Sequence, residues 1–158
     1  MKKLYLVYTT LVKTYCTNNQ CDEAQLDNWG SFLATNLGSN CQDSQNKDLV
    51  TTSLKAISNV GYLKNPQVLF ACASNNKNSL EVRVNAIQAF RRFSCKQIET
   101  SQLPKIIQDS DQDTELRINT FLVLTRCTES EHFQKMTSLG YLTQFFEKEN
   151  DTQVSLYW

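Results

Sequence analysis

Glycine and proline are scarce in this 158-residue chain, at four and two residues. A hairpin-rich β fold needs many tight turns built from such residues, so the shortage points to helices joined by short polar loops. An excess of one charge is missing too, because sixteen basic residues balance sixteen acidic ones. The chain therefore has no electrostatic footprint for nucleic acid and no polybasic patch for anionic lipid. No apolar run approaches the ~18 residues of a membrane span. Histidine occurs once, as His132, and the six cysteines form no paired CxxC array. That argues against a closed zinc site of the finger kind. Six cysteines in this length are also too few for a disulfide-scaffolded miniprotein. What is present is a hydrophobic fraction of 41%, enough for one real core, and residues 1–158 read as a single domain.

Apolar periodicity organises the chain into helices. Leu4, Val7, Tyr8, Leu11 and Tyr15 share one stripe of a helix from about Lys3 to Tyr15. Met1-Lys2-Lys3 before an apolar segment resembles a short secretory leader. Lys13 interrupts the run and no small-x-small cleavage site follows, so the alternative is an amphipathic helix inside a larger chain. A polar loop, Thr17–Gln20, precedes a second helix over Asp22–Leu37, with Leu26, Trp29, Leu33 and Leu37 on its buried face and Gly38 at its C-cap. A third helix holds Leu49, Val50, Leu54, Ile57 and Val60 and stops at Gly61. Pro66 opens a fourth and Ser79 caps a fifth that runs to Phe93. A short sixth is expected over Ile98–Gln108, a seventh over Thr114–Cys127, and an eighth over Phe133–Phe146 broken near Gly140. Thr152–Trp158 reads as the opening of a further helix.

Residue identity recurs along with spacing. Val84–Phe93 precedes Ile118–Cys127 by about 34 residues, which sets Asn85 on Asn119, Phe90 on Leu124 and Arg92 on Arg126. About 33 residues earlier, Leu54-Lys55-Ala56-Ile57 matches Ile87-Gln88-Ala89-Phe90. Helix pairs at this period cannot bury their apolar faces alone and must stack. The expected fold is all-α: an α-solenoid of stacked antiparallel helical hairpins, two-layered and HEAT- or armadillo-like. A closed antiparallel bundle is the competing arrangement.

These residues carry a family resemblance. Leu54-Lys55-Ala56-Ile57-Ser58-Asn59-Val60-Gly61 resembles the "LKALGNAG" signature in the N-terminal region of vitellogenins, apolipophorins and microsomal triglyceride transfer protein, the large lipid transfer proteins. Val82–Arg92 resembles that region's "VRVAAIQALRR" helix, Glu115–Asn119 its "ELRIAA" helix start, and Asp151–Ser155 its "NTQVAS" segment. The four motifs fall in order over most of the chain, and the Asn-rich character is most like an arthropod apolipophorin. The resemblance implies a helical horseshoe around the outside of a lipid cavity whose walls are mainly β-sheet. It implies secretion and lipid partners (phospholipid, diacylglycerol or other neutral lipid) acting through the full-length protein, with β-sheet domains of the same parent as further partners. No run of alternating strands here would make those sheets. The chain therefore reads as a fragment of a much larger protein, with Met1 as an internal methionine. Arthropod carriers of this kind include mite allergens, so IgE binding is a property that the resemblance allows and no residue here shows. An independent HEAT- or armadillo-like adaptor for a protein partner is the alternative function.

Catalytic chemistry has little support. GxSxG, P-loop, HExxH and Gly-rich dinucleotide motifs are all missing, so the expectation is a non-enzymatic domain with no cofactor and no metal. His132 lies among Glu129, Ser130 and Glu131 and reads as a surface histidine. Asp109, Asp111 and Asp113 alternate like a calcium loop but lack its glycine and terminal glutamate, so they read as a solvated loop with Asp113 as N-cap. Arg83, Arg91 and Arg92 read as apolar stems with inter-repeat ion pairs. The Thr17–Gln20 loop can fold back, and the family resemblance also implies a local disulfide there, so Cys16 and Cys21 are the expected pair. Cys72 and Cys127 read as core, with Cys41 and Cys95 unassigned. Asn150-Asp151-Thr152 is the glycosylation sequon. An exposed apolar patch is expected near the C-terminus at Tyr141, Phe145, Phe146, Tyr157 and Trp158, with Leu142 and Leu156, where a following repeat would pack.

Overall fold

A computed structural model describes residues 2–42, 46–99 and 101–127. Every regular element among them is helical: α1 (Lys2–Asn19), α2 (Glu23–Ala34), α3 (Lys47–Val60), α4 (Gln67–Ser74), α5 (Leu80–Gln88), α6 (Cys95–Glu99), α7 (Leu103–Gln108) and α8 (Thr114–Leu124). Short 3₁₀ turns extend α2, α5 and α8. Two compact units divide between Ser94 and Cys95. Within them α3 packs on α1, α2 and α5, α4 on α5, and α7 on α8. This is the packing of helical repeats. The expected helix over Phe133–Phe146, the one opening at Thr152, and His132 lie outside the described residues.

In the first unit α3 is the hub. Val50, Leu54, Ala56, Ile57 and Val60 are buried on it, as are Ile87, Ala89 and Phe90 of the following pair. Gly61 ends α3 at φ 72°, in the left-handed region that favours glycine. A Cβ there would also lie 2.7 Å from the Arg92 carbonyl oxygen, so the position is closed to other residues on two counts. Gly30, inside α2, is a second close approach, since a Cβ there would lie 2.5 Å from the Tyr62 carbonyl oxygen. The cost of glycine within a helix is accepted here for contact between helix and loop.

Two boundaries differ from the sequence reading. The helix expected to end at Tyr15 runs to Asn19, because Thr14 and Thr17 hydroxyls and the Asn19 amide bond back to carbonyls four residues earlier and let the polar segment continue the helix. Gln20, at φ 52°, then stops it. The single helix expected over Ile98–Gln108 is two, α6 and α7. Ser101 lies between them, its hydroxyl donating to the Ile98 carbonyl and accepting from the Leu103 N–H. Pro104, in the first turn of α7, has no N–H with which to continue a hydrogen-bond ladder from α6.

A 34-residue period is visible in the side-chain chemistry. Asn75 and Asp109 each accept a backbone N–H two residues on, from Lys77 and Asp111. Ser79 and Asp113 cap α5 and α8. Arg83 Nε donates to the Ala73 carbonyl at 2.8 Å, and Arg117 Nε to the Ile107 carbonyl at 3.5 Å. Asn85 and Asn119 donate to the carbonyls of Glu81 and Glu115. The two arginines thus satisfy orphan carbonyls at the ends of α4 and α7, where a helix has none of its own donors left.

Candidate functional site

The site lies on α1 and α2, and it arises because α1 is packed by its polar side. Thr9 is 2% exposed. Asn59 of α3 donates to the hydroxyls of Thr9 and Thr10, both at 3.3 Å. The apolar stripe seen in the sequence is turned away from this contact. Leu4 is 74% exposed, Leu11 61% and Phe32 of α2 55%. Val7, Tyr8, Tyr15 and Trp29 are exposed as well. Trp29 was expected on the buried face of its helix. It is 37% exposed and makes an edge-to-face contact with Tyr8, 5.1 Å between ring centroids at 70°, while Leu33 and Leu37 take the core positions.

Two cavities adjoin along this face and share Tyr8 and Trp29. One, of about 450 Å³, is bounded by Leu11, Tyr15, Cys16, Gln25 and Asn28 among others. The second, of about 240 Å³, reaches Leu4, Tyr5, Phe32 and Leu33. Together they line a trough between the two helices, divided by the Tyr8–Trp29 ring contact that bounds both volumes. Its geometry is held at one end by the Cys16–Cys21 disulfide, Cα–Cα 4.6 Å, and by a capping box in which Asp22 and Gln25 exchange hydrogen bonds with each other's backbone N–H. From α2, Asp27 accepts the Lys64 N–H at 2.8 Å and Glu23 accepts the Tyr62 hydroxyl at 3.2 Å. Partial desolvation, then the Glu23 carboxylate, raises the Tyr62 pKa. Full burial of an exposed leucine or phenylalanine stabilises by about 1.5–3 kcal/mol, so an occupant of this trough has several such contributions to gain.

The remaining cysteines pair as Cys41–Cys72 and Cys95–Cys127. The core reading of Cys72 and Cys127 agrees with their burial but missed their partners. Asp109 serves as a turn residue. The Gln112 side-chain amide, then the Asp111 N–H, hold its pKa below the ordinary 3.8. Among the described residues no group of three or more His, Cys, Asp or Glu is placed to hold a metal ion, and no helix is long and apolar enough to cross a membrane. Asn150 and the expected C-terminal patch, Tyr141, Phe145, Phe146, Tyr157 and Trp158, lie outside the described residues. The trough was missed in the sequence because a stripe tells which residues share a face, not which way that face turns.

Helix pairs recurring every 34 residues, the length of a tetratricopeptide repeat, define a helical-repeat domain. The family is that of the vitellogenin TPR domain, whose model matches residues 1–157, and the chain belongs to it. Similar curated proteins are apolipophorins of Drosophila melanogaster, 27% identical over 82% of this chain and 4% of that protein, and of Manduca sexta, 27% identical over 87% and 4%. A vitellogenin of Penaeus merguiensis is 28% identical over 98% of this chain and 6% of its own length. The chain thus spans only a small part of these relatives. No solved structure matches it.

Proposed function

We propose that this chain is the helical scaffold domain of a secreted lipid-transport lipoprotein, wrapping a lipid cavity built by segments outside this sequence. The observation that carries this reading is the family match over residues 1–157. The full pairing of the six cysteines supports an oxidising, extracellular setting. The role is non-catalytic. Phospholipid, diacylglycerol or another neutral lipid is carried by the full-length protein, and β-sheet domains of that protein are this domain's partners. The repeat geometry supplies the stiffness such a role needs, since the α4–α5 and α7–α8 hairpins are each tied at a turn, a cap and an arginine.

The test is flotation. Extracellular fluid from the source organism is spun in a density gradient and peptides of this chain are followed by mass spectrometry. The expected result is that they float with lipid, in a polypeptide far longer than 158 residues. Peptides that sediment with soluble protein, from a polypeptide without β-sheet segments, would establish the independent adaptor instead.

A further inference from the structure

We propose that Ser79 is a phosphorylation site and that Lys47 and Lys77 receive the phosphate. The proposal does not depend on the carrier reading. Three observations lead to it. First, Ser79-Leu80-Glu81 is the chain's one serine followed two residues on by a carboxylate, a pattern that an acidophilic kinase reads by charge. Ser79 is exposed, with extended backbone at φ −62° and ψ 151°, where the 75–78 loop meets α5. Its hydroxyl oxygen accepts the Val82 N–H at 3.5 Å, a long cap that leaves it open to transfer.

Second, there is a place for the product. A cavity of about 440 Å³ is bounded by Ser79, Asn78, Lys47 and Lys77 among others. Two ammonium groups border it and, among the described residues, no carboxylate does. Lys47 bonds Glu81 at 2.7 Å, but both side chains are about half exposed, at 47% and 57%, so that pair exchanges readily. A phosphoserine brings about −1.5 to −2 charge and three acceptor oxygens, which suits two lysines as a neutral hydroxyl does not.

Third, the next hairpin carries an anion at the same position. Asp113, 34 residues on from Ser79, caps α8 and accepts the Glu115 N–H at 2.9 Å. In that hairpin Asp111 stands where Lys77 does in the first. The second hairpin has a built-in anion without that lysine, and the first has the lysine without the anion. In the transfer the Ser79 oxygen attacks the γ-phosphorus of ATP, the bond to the departing ADP breaks, and the hydroxyl proton passes to the kinase's catalytic aspartate. The added charge then lies at the first turn of α5, where negative charge is favourable.

Tryptic peptide Asn78–Arg83 holds Ser79 as its single hydroxyl side chain, so its mass reports this site alone. Protein isolated from its source should yield that peptide phosphorylated. With a purified kinase that reads Ser-x-Glu, Glu81→Gln should slow phosphorylation of the chain about tenfold or more, and Glu115→Gln, on α8, should leave the rate as it was. Phosphorus NMR of the phosphorylated chain should place the second ionisation below the ~6 of a free phosphoserine, and Lys47→Met with Lys77→Met should return it to that value. The proposal is overturned by an unmodified peptide from the source, by an unchanged rate in Glu81→Gln, or by a phosphate that titrates alike with and without the lysines. It is also overturned if the unmodified chain binds inorganic phosphate tightly through the same lysines, since a free anion would then be the occupant.

Discussion

The α4–α5 and α7–α8 hairpins solve one problem with two chemistries. Each turns on an Asx residue, caps its second helix with a side-chain oxygen, and sends an arginine back to a carbonyl ten residues earlier. In the first the turn and cap residues are neutral, Asn75 and Ser79. In the second they are carboxylates, Asp109 and Asp113. The first arginine, Arg83, is half-buried, whereas Arg117 is 3% exposed. The disulfides differ too. Cys72 of α4 is tied to Cys41, ahead of α3, while Cys127, just beyond α8, is tied to Cys95 at the start of α6. The comparison teaches that the repeat conserves backbone hydrogen bonds rather than side-chain identity. Anything of suitable length that accepts at the turn and cap and donates at the arginine position will serve.

The largest effect expected is from the long-range disulfides. Replacing Cys41 and Cys72, or Cys95 and Cys127, by alanine should cost about 3–4 kcal/mol each in the chain-entropy view of a ~30-residue loop. The Cys16–Cys21 pair, five residues apart, should cost about 2 kcal/mol. Urea denaturation ranks the three. Equal losses would mean that loop length is not what matters. Next come the arginines. Arg117→Ala should destabilise by about 3 kcal/mol and Arg83→Ala by about half of that, since the more buried one leaves a larger cavity and a carbonyl further from water. Hydrogen-exchange protection of α7 and of α4 locates each loss. Equal penalties would sink the idea that burial separates the two hairpins.

Caps are expected to be alike: Ser79→Ala and Asp113→Ala should each cost about 1 kcal/mol, read from urea midpoints. The smallest effect is the one that only the second hairpin has. Asp109 has a lowered folded pKa, so its contribution is fully present above the ordinary 3.8 and is lost as pH falls through the lower folded value. The Asp111 amide resonance should therefore titrate below the usual carboxylate range and go flat in Asp109→Asn. The Lys77 amide, whose acceptor is Asn75, should show no such step. A matching step at Lys77 would break the contrast.

Much of this was legible beforehand. Ser79, Asp113 and Gly61 act through local rules, because caps and left-handed stops depend only on a few neighbouring backbone groups. The register that sets Asn85 on Asn119 was legible for the same reason, each amide bonding back within its own helix. Arg117 was overlooked. An arginine on an apolar helix face reads as a solvated stem, and its carbonyl partner belongs to the preceding helix.

The sequence by itself determined that this chain is all-helical, that its hairpins repeat near 34 residues, and where most helices start and stop. Those properties follow from periodicity and capping, which act over one or two turns of chain. Tertiary structure alone decided the pairing of Cys41 with Cys72 and Cys95 with Cys127, since six cysteines allow 15 pairings. It alone decided that α1 turns Thr9 inward and Leu4 and Leu11 out. The physical reason is that a helix can dock by any face that finds partners. Asn59, fifty residues from Thr9 along the chain, supplied the partner that set the orientation.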